Sequence, residues 1–417
     1  MAQRESGLAV ERRPLNPCEL EIDLQCRGIR LSPEAAQRVR PARRTRAGLG
    51  SGVELILQGT FKDIWVNVPV RERFAQASPY RLEVSPEGRF AVRDERRDIT
   101  YPCRWNPEPN WYDRRTSSGR RMGEVGILQG TYLGIYIGPV CRYWTNERQE
   151  NCAFCTTGLN ESDGESWRKS VTDVVETCQT ARRESGITFV HFNSGYQEGR
   201  DLQLALPFVR AVKEQTGLLV GLQMAPVSDL AQYDELIAAG VDHFSFCFEF
   251  MHPDYFARLC PGKARTLGQE AFFRAMEYTA RKLGKGRVSG EIIAGLEPIE
   301  ATLQAIDRIT DCGAFPTVCI FRPLEGSRLE DTPPPRYEEM RRVFQYMIER
   351  LAAKRIPVGL APNIEVSLVV QPTDALYLLP SGWQGWSYRL YNSLLSALVR
   401  PVFAWRLAAG DRRMQAA

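Results

Sequence analysis

The stretch CRYWTNERQENCAFC carries three cysteines, Cys141, Cys152 and Cys155, with ten residues between the first two and two between the last pair. Thiolates bind soft and borderline metals, and four of them close a structural zinc site; here a fourth ligand would have to come from elsewhere in the chain. An iron–sulfur cube held by only three thiolates leaves one iron with an open position, which can chelate a substrate or cofactor. Where the loop sits decides between these chemistries.

From residue 125 onward, short apolar runs alternate with amphipathic segments of helical length, the pattern of βα units around a parallel sheet. The predicted strands are GTYLGIYIGPV, ITFVHFN, LLVGLQM, VDHFSFCFEF, VSGEIIAGL and PTVCIFRP, and each of the five helical segments between them runs into a glycine, as a left-handed C-cap requires. The expected fold class is therefore α/β: a partial (βα)6 parallel barrel over 119–353, preceded by a β-rich N-terminal domain over 1–118 and followed by a helical extension over 354–417. The cysteines directly follow the first barrel strand, on the face where such folds place their chemistry; a structural zinc has no special reason to be there.

Other strand ends carry candidates. Asn193, Ser194 and Gly195 end the second strand, where a glycine permits close backbone approach and carbonyl and hydroxyl groups can accept from an ammonium. Glu249 ends the fourth strand, on the same face as Ser245 and Cys247 by alternation, and a carboxylate there is costly to bury unless it binds something. Each has a plainer reading: the tripeptide as a turn, Glu249 as half of a salt bridge, Cys247 as an inert core thiol rather than a hydrogen donor.

In this order the segments resemble the radical S-adenosylmethionine (SAM) superfamily over roughly residues 125–330, and its biotin-synthase-like branch in LCPGKARTLG and IIAGLEP. The departure is the ten-residue first gap, where the family usually has three; a longer loop costs only about 1 kcal/mol in closure entropy. The resemblance implies a [4Fe-4S] cluster on Cys141, Cys152 and Cys155, with Phe154 as the aromatic residue before the last cysteine. It implies SAM bound through its amino group at Asn193–Gly195, through Glu249, through its carboxylate at Arg265 with Arg258 as the rival, and through adenine near the backbone of Gly295. It further implies reductive cleavage of SAM to a 5′-deoxyadenosyl radical, hydrogen abstraction from a small-molecule or lipid-like substrate, and a reductant such as ferredoxin or flavodoxin.

Composition sets the remaining bounds. A net charge of +4 over 417 residues is too small and too evenly spread to argue for a nucleic-acid partner, although Arg38, Arg40, Arg43, Arg44 and Arg46 crowd one segment and motivate an RNA-binding alternative. Three histidines leave little material for a His-based hydrolase, and the first residues hold no apolar core of signal length, so the expected location is cytoplasmic and the eleven cysteines are not a disulfide framework. Cys18, Cys26 and Cys103 read as core thiols rather than as a second cluster. In the tail, Trp383, Trp386, Leu390, Leu394, Leu398 and Val402 recur at helical spacing; such a stripe usually packs on the barrel or a second subunit, and peripheral membrane contact through 383–407 is the alternative. The rival to the whole reading is a zinc-stabilised α/β-barrel enzyme of unrelated chemistry.

Overall fold

The computed structural model describes residues 13–39, 52–159 and 169–416. Arg40, Arg43, Arg44 and Arg46, which motivated the RNA-binding alternative, lie outside the described residues.

The first element among the described residues is a helix that the β-rich reading overlooked, α1 (Pro17–Arg27). Its start is written in Asn-Pro-x-Glu: Asn16 Oδ1 accepts from Glu19 N at 3.0 Å, Glu19 Oε2 accepts from Asn16 N at 3.1 Å, and Pro17 fills the first turn. There follow β1 (Arg30–Leu31), α2 (Pro33–Arg38), β2 (Val53–Leu57), β3 (Ile64–Val68), β4 (Tyr80–Val84), β5 (Phe90–Asp94) and β6 (Ile99–Trp105). They form a six-stranded sheet in the order β1-β4-β5-β6-β2-β3, antiparallel except where β1 meets β4.

After α3 (Met122–Val125) and β7 (Ile127–Leu128) the six predicted strands appear as β8 (Leu133–Tyr136), β9 (Phe189–Asn193), β10 (Leu219–Gln223), β11 (His243–Glu249), β12 (Val288–Ala294) and β13 (Phe315–Ile320). They are parallel and lie side by side in sequence order, with β7 added antiparallel beside β8. The short α4 (Arg142–Thr145) follows β8, and the crossovers carry α5 (Val171–Ser185), α6 (Asp201–Thr216), α7 (Ala231–Ala238), then α8 (Pro253–Leu259), α9 (Pro261–Thr266) and α10 (Gln269–Leu283), and α11 (Ile299–Asp311). Ser170 and Asp173 form a capping box at the start of α5, and Gly186, left-handed at φ 65°, stops it. Side chains facing these helices, such as Val190, Phe192, Phe244 and Phe246, are fully buried, whereas His191, Asn193, Gln223, Cys247, Glu291, Thr317 and Cys319 are only half-buried. The interior of the half-barrel is thus lined by polar, incompletely covered groups, unlike a packed core.

The helices α12 (Tyr337–Ala353) and α13 (Trp383–Ala416) complete the chain. One continuous hydrophobic core links α1 and the first sheet to the half-barrel and α12, and buried ion pairs cross the same junction, with Arg322 Nε 2.5 Å from Glu72 Oε1. Helix α13 lies along α6, but not by the expected face: its inner side is Tyr388, Asn392, Leu407 and Gly410, and the Trp/Leu stripe points outward. Polar anchors chose the inner face. Tyr388 donates to Ile356 O at 2.6 Å, and Asn392 Oδ1 accepts from Val358 N at 2.9 Å. Among the described residues no helix is long and apolar enough to cross a membrane.

Candidate functional site

Strand β8 runs directly into the cysteine loop, and the loop is tied by backbone hydrogen bonds to the exits of three later strands. Arg142 N donates to Tyr196 O at 3.0 Å, Ala153 N to Leu259 O at 2.8 Å, Gly262 N to Glu150 O at 3.1 Å, and Arg328 N to Ala153 O at 3.0 Å. Tyr143 stacks on Tyr196 with ring centres 4.5 Å apart and hydrogen-bonds Thr266, and its ring fills the space a side chain at Gly262 would need. These bonds hold a long first gap in one shape.

The three thiols lie close enough to perturb one another. Burial, then the neighbouring Cys155 and Cys152 charges, pushes Cys141 up to about 12; burial and then Cys152 raise Cys155. Cys152 goes the other way: the Cys260 thiol donates to it and the Lys263 ammonium lies nearby, so its thiolate is favoured. Cys260, which sequence reasoning missed, is thus a fourth thiol beside the trio. Among the described residues no group of three or more His, Cys, Asp or Glu side chains is gathered tightly enough to hold one metal ion. A cube spreads its ligands over separate corners and asks for wider spacing than a single ion.

The exit of β9 abuts the first cysteine. A Cβ on Gly195 would stand 2.2 Å from Cys141 Cβ, and Gly195 N donates to the Tyr136 hydroxyl at 2.8 Å. Gly195→Ala is therefore expected to displace Cys141 while the thermal midpoint moves little; with Cys141 as a cluster ligand, iron per chain after reconstitution should also fall more than about tenfold, and iron analysis with a melting curve checks both. Asn193 donates through Nδ2 to Gln223 at 3.2 Å, and its buried Oδ1 has no hydrogen-bond partner among the described residues. An orphaned acceptor at a strand exit is what an incoming ammonium or hydroxyl would satisfy.

Ser194 Oγ donates to Asp201 at 3.4 Å, and Gln197 N donates to the same carboxylate at 3.1 Å. Burial outweighs these bonds and raises Asp201 from its ordinary 3.8 to about 6. A carboxyl whose folded pKa is raised holds its proton more tightly when folded, so its stabilising contribution is complete below about 3.8 and is lost as pH rises through about 6. In Asp201→Asn the fall in unfolding free energy between those two pH values should shrink by about 2–3 kcal/mol, measured by urea titration at each pH.

Glu249 ends β11 where pairing with β12 slips between Cys247 and Glu249, and its φ of 74° is a left-handed value that costs a non-glycine residue of order 1 kcal/mol or more. Lys263 holds it there: Nζ lies 2.6 Å from Glu249 Oε1 and donates at 2.6 Å to Cys247 O. The salt-bridge reading of Glu249 is met, by a lysine that the sequence reading passed over. Arg265, two residues on, turns outward and is clasped by Glu150 of the cysteine loop, Nε to Oε1 at 2.8 Å and Nη2 to Oε2 at 2.5 Å. Arg258 is exposed and lies over the Tyr255 ring at 4.7 Å. Phe154 packs edge-on against Phe250 at 5.9 Å, and Gly295, φ 102°, leaves β12 where a Cβ would strike Pro335.

Below the mouth, Ser245 and Cys247 face the same way, as alternation predicts, and both meet a carboxylate that was not singled out. Glu291 accepts from Ser245 Oγ at 2.6 Å, from Gln223 Nε2 at 2.5 Å and from Cys247 Sγ at 3.1 Å, and burial raises its pKa. Burial, then Glu291, raises Cys247 far above an ordinary thiol, so it remains protonated.

Six sequential parallel strands carry a cysteine trio after the first and a glycine-containing exit after the second, the arrangement that the sequence resemblance implies. No family model matches the chain. Over 119 residues, 28% of its length, the chain is 30% identical to the bacteriochlorophyllide c C-7(1)-hydroxylase of Chlorobaculum limnaeum, of which it spans 30%. Among solved structures it is similar to methylornithine synthase (TM-score 0.41, 19% identity, 62% of this chain and 68% of that one). It is also similar to a radical SAM methyltransferase from Sphaerobacter thermophilus (TM-score 0.41, 13% identity, 67% and 76%).

Proposed function

We propose that the chain is a radical SAM enzyme: Cys141, Cys152 and Cys155 hold a [4Fe-4S] cluster with one iron left for SAM. The observation that carries the reading is the cysteine loop itself, bonded to the exits of β9, β11 and β13 so that three mutually perturbing thiols gather at the C-terminal mouth of the half-barrel. When bound, the reduced cluster supplies the electron that cleaves SAM to methionine and a 5′-deoxyadenosyl radical.

This chain's residues bind and aim. The free Asn193 Oδ1 and the Ser194 hydroxyl accept from the SAM ammonium, and Gly195 allows the approach. Arg265 grips the Glu150 carboxylate bidentately, a pairing that the SAM carboxylate would have to displace, with exposed Arg258 as the rival. Glu249, fixed by Lys263, would present its second oxygen to the ribose hydroxyls, Phe154 packs against Phe250 beside the last cysteine, and the backbone at Gly295 would meet adenine. The half-buried groups below would surround the substrate C–H. A reductant of the ferredoxin or flavodoxin kind supplies the electron, and the reading places the enzyme in the cytoplasm.

A second reading, a structural zinc on the trio with Cys260 as fourth thiol, would need these side chains to draw closer together, since as they stand no three of them are gathered tightly enough for one ion. Anaerobic reconstitution with iron and sulfide separates the two. A brown protein with a visible absorption band supports the cluster; a colourless protein retaining about one zinc per chain supports the other.

A further inference from the structure

Helix α13 offers solvent a face that nothing among the described residues covers. Its outward residues range in exposure from 41% at Leu390 to 76% at Trp383, with Leu394, Leu398 and Trp405 between them. Trp383 and Trp386 stack on each other at 5.0 Å at one end and Trp405 closes the other, about 33 Å away at 1.5 Å per residue. The opposite face is fixed along its whole length. Tyr388 and Asn392 bond the segment after α12, Arg406 pairs with Asp242 at 3.2 Å, and Arg182 clasps Asp411 through two 2.9 Å bonds. At Gly410 a Cβ would stand 2.0 Å from Thr216 O, so the helix is seated directly on the end of α6. The outward face is therefore rigidly presented.

Its charge selects the occupant. Arg400, Arg412 and Arg413 are exposed on this helix, and its one acid, Asp411, is engaged by Arg182. In a twofold contact between two copies the same patch meets itself, so arginines would face arginines with no exposed carboxylate on the helix to pair them. An anionic lipid surface meets every requirement instead: aliphatic side chains enter the acyl boundary, indoles at the two ends lie at headgroup level, and guanidiniums meet phosphates.

We propose that α13 docks the protein, lying flat, on an anionic lipid surface through the Trp383–Trp405 face. The test uses the full chain and co-sedimentation with phosphatidylcholine vesicles, with and without phosphatidylglycerol. No SAM or reductant is present, so the result is independent of the radical chemistry. The wild type is expected to bind the anionic vesicles at least about tenfold more tightly than the neutral ones, with a blue shift of tryptophan emission. The Leu394→Glu/Leu398→Glu double variant should lose that binding while keeping its melting curve, since both side chains are already in water. Absence of binding to anionic vesicles, or undiminished binding by the folded double variant, overturns the proposal. So does a wild-type dimer in solution that the same double variant splits into monomers, which would assign the face to a second copy.

Discussion

Cys152→Ala, reconstituted anaerobically with iron and sulfide, is expected to lose the visible absorption band and to fall to background iron, whereas Cys260→Ala should keep both. The two thiols touch, so the contrast separates a ligand from its neighbour. Cys152 is the trio's member whose thiolate is favoured, by the Cys260 hydrogen bond and the Lys263 charge, and it sits in a loop bonded to the β11 exit. Cys260 is fully buried and its thiol is strongly held protonated, first by burial and then by its bond to Cys152. Its removal leaves a small cavity worth about 1 kcal/mol, visible in denaturant unfolding but not in iron content. Equal loss of metal in both variants would make Cys260 a ligand and favour the four-thiol site.

Lys263→Met should be the most destabilising single change at the mouth, by about 3–5 kcal/mol, because it strands Glu249 as an uncompensated buried carboxylate. The pair is well covered, with side-chain exposures of 16% for Lys263 and 11% for Glu249. Lys263 also caps the Cys247 carbonyl at the bulge and lies near Cys152, so three features relax together. The double variant Lys263→Met/Glu249→Gln removes the stranded charge and should regain most of the lost stability in urea titrations. If the single variant unfolds within about 1 kcal/mol of the wild type, the pair does not hold the mouth together.

The barrel was legible in the sequence because its signal is periodic. Six apolar runs became β8 to β13, and glycines such as Gly186 stop helices by a conformation few other residues adopt. Helix α1 was missed although its Asn-Pro-x-Glu start is a capping box, because the β-like runs after it dominated the reading. The cysteines and Gly195, singled out by residue type, lie side by side in the fold, whereas partners chosen in space were harder to read. Arg265 and Lys263 are two apart on α9; residues so spaced point to different sides, and only the fold shows that the lysine turns inward while the arginine meets Glu150. Glu291 sits mid-strand among apolar neighbours, and its significance appears only when Ser245, Gln223 and Cys247 converge on it from adjacent strands. The α13 stripe has the spacing of a core face, yet polar anchors on the other side set the helix the opposite way.

The central claim is that the cysteine trio carries a cluster competent to cleave SAM. Reconstituted protein incubated anaerobically with dithionite and SAM, and assayed for 5′-deoxyadenosine by mass spectrometry, tests it most directly. Formation of 5′-deoxyadenosine by the wild type and its absence with Cys141→Ala is the predicted result; no 5′-deoxyadenosine from a protein holding its full complement of iron and sulfide would contradict it.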